Sequence, residues 1–459
     1  MLDSASTNQP NVVSRPPDAQ SGLRRAIERI FTSLVLILLV AFGARIVFAV
    51  DQILKIPPAA LATASFDQET GSIASSLATH KGFSNPFRRE TGPTAWLTPV
   101  YPLLVAATFK LFGLRSLHSF YFLAFLNILF SSAACVPVYL VGQRVAGLAA
   151  GSAAAWLWAL FPGAIMVPFE WIWDTSLSAL LSALVLWAAQ EVAESDKWRD
   201  WCAYGLLWGF TLMTNPAIGA LLPFLLGWSA YRTRRRAALP SSTALLRPGM
   251  ALALVVLCCV PWTIRNYSTF HRFIPFRSNL PFELYIGNNE NYASDHPQFP
   301  PPITKERETL RYIHMGEIPF MDEELRKAKL FMRSHPRKVL ILFGDRFAAF
   351  WTGAPFAIDT FLTTDSWLVR TLLLCATLTG IGAFAGILAL LWRRSAFTFP
   401  LAAYPIVFPL VYYLTHTSLR YRHPLDPIVL LLTAVAGTAV GKSLLKRFQK
   451  NALADVAAT

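Results

Sequence analysis

Apolar runs close to a membrane's width recur along this sequence, at residues 30–50, 120–141, 149–167, 175–192, 201–231, 249–264, 367–392, 397–414 and 424–440. A helix needs ~20 apolar residues to cross the hydrocarbon core of a bilayer. Within lipid the backbone must satisfy its own hydrogen bonds, so these runs are expected to be helices. Residues 201–231 are too many for one comfortable span, and Asn215-Pro216 lies midway. Proline and the residue before it disfavour a continuing helix, which predicts two short helices meeting at Thr214-Asn215-Pro216. The count comes to about ten spans, and the fold class to an all-α polytopic membrane protein. Composition points the same way: 54% of the 459 residues are hydrophobic and 15% charged, where a soluble chain carries about 25% charged residues. A disordered chain, a collagen and a small disulfide scaffold are excluded.

The excess of 41 Lys and Arg over 27 Asp and Glu could serve nucleic acid, but its placement reads as orientation. Arg24, Arg25 and Arg29 precede the first run, which lacks a convincing cleavage site and is expected to remain as an uncleaved span. Arg144, Lys197, Arg199, Arg232, Arg234, Arg235, Arg236, Arg393, Arg394, Lys442, Lys446 and Arg447 then fall at the same side of successive spans. The map puts both termini in the cytoplasm and makes nucleic acid an unexpected partner. It divides the chain into a disordered cytoplasmic tail at 1–22, one transmembrane domain at 23–445 with outer loops at 51–119 and 265–366, and a second tail at 446–459. The apolar stretch 100–112 is short for a span, and counting it as one would invert every later loop, so an interfacial helix is expected there. Charges and apolar residues interleave at helical spacing over 322–343, which predicts one surface helix. Residues 297–303, with consecutive prolines, read as a loop, and residues 287–291 as a turn that could also meet a polyhydroxylated ligand.

Polar chemistry gathers at span ends on the outer side, while the spans are almost free of ionisable residues, which argues against ion-coupled transport. Asp67 and Glu69 lie in the first outer loop, each a general base at the lipid–water boundary or, more plainly, a solvated acid or helix cap. Glu170 and Asp174 flank Trp171 and Trp173 between two spans, where they either anchor and cap the next helix or share the first loop's chemistry. Arg420, Tyr421 and Arg422 open the last span, joined by Arg265, Arg272, Arg277 and Arg346. Outer arginines run against the orientation bias; they bind either lipid headgroups or the phosphate of a ligand, which a guanidinium holds bidentately. All five cysteines fall in spans, and no two histidines have i, i+4 spacing, so no metal site is assigned, although room for a divalent metal remains.

Six stretches in order resemble the GT-C membrane glycosyltransferases, in particular glycosyltransferase family 39 with its protein O-mannosyltransferases and lipid A aminoarabinose transferases. They are Asp67-Gln68-Glu69 running to Gly82-Phe83; Gly92-Pro93-Thr94-Ala95-Trp96-Leu97-Thr98-Pro99 running to Gly113; Trp173-Asp174-Thr175; Thr214-Asn215-Pro216; Pro261-Trp262-Thr263-Ile264-Arg265-Asn266; and Arg420-Tyr421-Arg422-His423-Pro424. The resemblance implies a polytopic helical domain, a polyprenyl-phosphate-linked sugar donor and inverting transfer on the outer face of a bacterial inner membrane, to an acceptor that is a protein, a lipid or a glycan. It places the catalytic acid at Asp67 or Glu69, a second acid at Asp174 with Glu170 nearby, and the donor phosphate at Arg420, Arg422 and Arg265 with Tyr421. Thr98 stands where aminoarabinose transferases carry a lysine, which leaves phosphate binding to arginine. A lipid flippase, a non-catalytic scaffold and an O-antigen ligase-like GT-C enzyme are the other readings.

Overall fold

The computed structural model describes residues 28–237, 241–290, 306–354 and 357–458. Regular structure among them is helical, with one isolated β-bridge between Ser84 and Pro93. The proposed tail at 1–22 and the loop at 297–303 lie outside the described residues. Among the described residues six helices are long and apolar enough to cross a membrane: Leu34–Lys55, Leu117–Ala146, Thr175–Glu194, Leu245–Phe270, Trp367–Trp392 and Asp426–Leu444. A seventh span forms if Leu148–Leu160 and Pro162–Glu170, bent by 45°, are taken together. Other apolar runs make shorter helices. Trp198–Thr214 has 17 residues and Leu222–Ala237 has 16, below the ~20 that a straight crossing needs.

The break expected at Asn215 is present. Trp198–Thr214 stops there, Asn215 is extended, and its side chain accepts a hydrogen bond from the Ala217 amide at 3.1 Å to start a 3₁₀ turn over Pro216–Leu221. The helix Val100–Phe112 is also present. It ends at Gly113, whose φ of 99° a side chain would resist, and packs on the helices Glu69–Ala78 and Leu117–Ala133. Phe66 meets Phe109 edge to face at 4.8 Å beneath this junction. A Cβ on Gly71 would lie 2.3 Å from the Phe66 carbonyl, so only glycine lets the Asp67–Glu69 turn fold this tightly.

The surface helix expected at 322–343 is two helices, Glu317–Ser334 and Pro336–Thr352. Pro336 supplies no N–H to the preceding turn and pushes His335 out of the helical region, so the chain restarts with proline at the first helical position. Asn288 and Asn289, read as a turn, close the helix Leu280–Gly287, and their amides donate to the Leu284 and Tyr285 carbonyls. Glu317 ties the two outer segments together, accepting from the Thr94 hydroxyl, the Ala95 amide at 2.7 Å, Ser278 at 2.7 Å and Tyr312 at 2.6 Å.

An arginine lies near the middle of the Leu34–Lys55 span. Arg45 is fully buried and donates to Ser131 Oγ at 2.9 Å and to the carbonyls of Ala41, Ala159 and Trp158. Ala159 and Trp158 end the Leu148–Leu160 helix, just where Pro162 cannot donate back to the chain. The arginine thus satisfies carbonyls that lipid could not, and it holds the bend that carries Glu170 and Trp171 towards the site.

Candidate active site

Two adjoining cavities, of about 620 Å³ and about 370 Å³, share a wall built from Glu69, Trp96, Trp173, Glu283, His416, Arg420 and Tyr421. The larger continues between apolar side chains, among them Phe161, Met166, Val167, Leu372 and Leu419. The smaller is polar, with Asp174, Asn215, Arg277 and Asn279 in its lining. Chain regions far apart in sequence meet here because small residues permit it. Gly287 packs so closely on residue 415 that a Cβ would sit 1.6 Å from the Thr415 carbonyl, which seats the helix carrying Glu283 against His416.

Arg420 lies on the short helix Leu419–Arg422 and is held by aromatic faces, 4.8 Å from the Trp171 ring centre, 4.5 Å from Trp173 and 5.0 Å from Tyr421. Its guanidinium makes one hydrogen bond among the described residues, from Nη2 to the Tyr421 hydroxyl at 3.3 Å, and no carboxylate there comes within 4 Å. Stacked faces leave the edge N–H groups of the plane directed into open space. A cation so enclosed and so lightly bonded keeps hydrogen-bonding capacity unused among the described residues. Tyr421 stacks on Tyr412 at 5.2 Å and shares its hydroxyl with His416 Nε2 at 3.0 Å.

The two arginines expected beside Arg420 are elsewhere engaged. Arg422 is buried, paired with Asp426 at 2.8 Å, and donates to the Trp351 and Ala376 carbonyls and to Thr379. It reaches the edge of the larger cavity with its guanidinium occupied. Arg265 donates to the carbonyls of Thr94 and Phe83, each at 2.7 Å, lies over Trp262, and lines neither cavity. Arg346 is likewise bound to the Tyr413 and Leu414 carbonyls, and Arg272 pairs with Asp322 at the surface.

Among the acids, Asp67 and Glu69 part company. Asp67 pairs with Arg115 at 2.8 Å and Arg88 at 3.4 Å and is outside both cavities. Glu69, the first residue of its helix, faces both, and burial raises its pKa against the pull of its own helix terminus and of Arg420. Asp174 is 7% exposed at the start of the Thr175–Glu194 helix. Its side chain caps no backbone amide; it accepts from Ser178 at 3.0 Å, with Arg277 at 3.9 Å. Burial raises its pKa too, opposed by Arg277 and Ser178. Glu170 lines the larger cavity.

Glu283, His416 and the cavity role of Arg277 have no motif to announce them. Glu283 is raised to about 7, first by burial and then by the charge of Glu69, and His416 is lowered to about 3 by burial and by the Arg420 and Arg346 cations. No three His, Cys, Asp or Glu side chains converge as a metal centre among the described residues, and the chemistry below is built on the side chains alone.

Residues 95–263 match the family model of dolichyl-phosphate-mannose-protein mannosyltransferases. Among solved structures the chain is similar to the oligosaccharyltransferase of Archaeoglobus fulgidus in its apo form, at 16% identity with a TM-score of 0.52, over 92% of this chain and 51% of that one. The same enzyme in complex with zinc and sulfate matches at 15% identity and a TM-score of 0.52, over 92% of this chain and 51% of that one. The archaeal oligosaccharyltransferase AglB from Archaeoglobus fulgidus, bound to an inhibitory peptide and a dolichol-phosphate, matches at 15% identity and a TM-score of 0.50, over 91% of this chain and 52% of that one. The chain therefore spans about half the length of these structures, and at such identities the likeness is one of fold. No curated protein matches the sequence. A segment similar to the mannosyltransferase family model and a fold similar to that of the oligosaccharyltransferase are thus found in one chain.

Proposed function

We propose that this protein transfers a sugar from a polyprenyl-phosphate-linked donor to an acceptor hydroxyl on the outer face of a membrane, with inversion at the anomeric carbon. The observation that carries the reading is Arg420: a caged guanidinium with open N–H groups on the wall between an apolar cavity and a polar one. The polyprenyl chain lies in the larger cavity, its phosphate on Arg420 and Tyr421, and the sugar points across the wall towards Glu69. Glu69 takes the acceptor's proton late in the attack, its raised pKa improving it as a base. Asp174, and Glu170 on the other side, position the reactants. Asp67, Arg422 and Arg265 hold the frame.

The outer location has its own support. Asp174 and the cavity sit at one end of the Thr175–Glu194 helix. At the other end Glu191 pairs with Arg144 at 3.1 Å, and Asp196 pairs with Arg236 at 2.8 Å and Arg247 at 3.0 Å. Twenty helical residues, about 30 Å, separate the cavity from this basic cluster. Read as cytoplasmic, this cluster supports a cavity on the outer face with both termini inside, and in this proposal residues 23–445 form one functional domain of a bacterial inner membrane protein, with lipids around it. The sugar's identity and the acceptor, whether protein, lipid or glycan, are open in this reading.

The test is direct. Purified protein incubated with radiolabelled polyprenyl-phosphate sugars and a membrane extract should release polyprenyl phosphate and move label to acceptor. Movement of intact donor across a vesicle bilayer without cleavage would establish a flippase instead, and release only from diphosphate-linked oligosaccharide a ligase.

A further inference from the structure

Resting on the transferase reading, we infer that Glu283 is a second proton-handling carboxyl of this site, which gives its proton to the phosphate leaving group while Glu69 takes the proton of the acceptor. The chemistry of the leaving group creates the need. A sugar held through a phosphodiester carries one negative charge. When the bond from the anomeric carbon to the ester oxygen breaks, its electron pair stays on that oxygen and leaves a monoester dianion. A second charge developing at an apolar boundary is costly unless a proton meets it, and the second ionisation of a phosphate monoester lies near pH ~6.

Glu283 is placed for that task. It lines both cavities, on the wall that carries Arg420. One carboxyl oxygen accepts from Asn279 Nδ2 at 2.9 Å, and the other lies 3.4 Å from His416 Nδ1. His416 Nε2 meets the Tyr421 hydroxyl at 3.0 Å, and that hydroxyl receives Arg420 Nη2 at 3.3 Å. A continuous polar chain thus runs from the Glu283 carboxyl to the guanidinium that receives the phosphate.

The other titratable groups of the wall fit the task less well. Glu69 is taken by the acceptor, and Asp174 and Glu170 each border one cavity. His416 is neutral at physiological pH, and the Tyr421 phenol is raised by burial and by Glu283. The groups facing Glu283 are the carboxylate of Glu69, the cations Arg277 and Arg420, and the His416 ring. With burial they hold it near 7, protonated at the lower edge of physiological pH.

The step balances. The acceptor oxygen bonds to the anomeric carbon, the carbon–oxygen bond to phosphate breaks, Glu69 gains the acceptor proton, and Glu283 yields its own to the departing phosphate. Return of a proton from Glu69 to Glu283 through cavity water resets the pair for the next turnover.

The experiment uses the full-length protein in detergent or nanodiscs with a labelled polyprenyl-phosphate sugar. A general acid must be protonated and a general base ionised, so wild-type kcat should fall as pH rises through about 7, and fall separately at acid pH as Glu69 takes up a proton. E283Q should lose about 10²- to 10⁴-fold in kcat with its donor KM nearly unchanged, and its alkaline limb should disappear. Full kcat in E283Q with the wild-type pH profile overturns the inference and leaves the transferase reading intact, whereas absence of sugar transfer by the wild type overturns that reading instead. Should E283Q fail to fold, judged by its thermal melt, the wild-type profile decides. A kcat that does not fall between pH 6 and 8.5 sinks the proposal.

Discussion

Two kinds of polar site lie in the apolar body of this protein, and they differ in how much of their bonding capacity is occupied. Around Arg45, Arg422 and Glu317 the charged groups are engaged by carbonyls, hydroxyls or a paired ion. On the cavity wall, among the described residues, Arg420 makes one hydrogen bond, and Glu69 meets a carboxylate neighbour, Glu283, rather than a bonded cation. Closed knots of the first kind hold helices where proline or bends expose backbone. Open groups of the second kind are costly to keep unless a ligand uses them. Arg420 and Arg422, two residues apart on one helix, fall on opposite sides of this divide.

The contrast can be broken by substitution. The largest effect is expected at the base: E69Q should lower kcat by about 10²- to 10⁴-fold with the melt little changed, and an active E69Q would return the assignment to Asp67. R422M should act through the fold, leaving Asp426 buried without its partner at a cost of ~3–5 kcal/mol in thermal or denaturant unfolding. R420K keeps the charge but loses the planar fork and its stacking on Trp171 and Trp173. A fall of ~10- to 100-fold in donor kcat/KM with an unchanged melt is expected, since bonds to charged groups are worth ~1.5–3 kcal/mol. R45M should cost ~1–3 kcal/mol of stability by orphaning the carbonyls at the bend, and equal stability would show that the knot is dispensable. D67N should be the mildest, within about 1 kcal/mol in stability because Arg88 and Arg115 are partly exposed, and close to wild type in turnover.

The matched segment 95–263 contains Trp96, Glu170, Asp174 and Asn215 but none of Glu69, Glu283, His416 or Arg420. Five of the seven residues of the shared wall therefore come from regions that the family model does not reach. Arg420 and Glu69 were still legible, one as a cation at the span ends where the charge bias expects few and the other as an acid in a recurring run. Glu283 was not, because a single acid in a polar loop has no spacing that marks it. Arg45 was passed over among its apolar neighbours.

What the sequence determined by itself follows from local physics: apolar runs set helices, and proline set the breaks at Asn215 and His335. Periodicity could not show that the 322–343 helix would restart at Pro336, although the proline was there to be read. Only the tertiary structure separated Asp67 from Glu69 and Arg422 from Arg420. Each pair lies within one helical turn and shares its chemistry, and what divides them is which neighbours from distant segments occupy their hydrogen-bonding atoms.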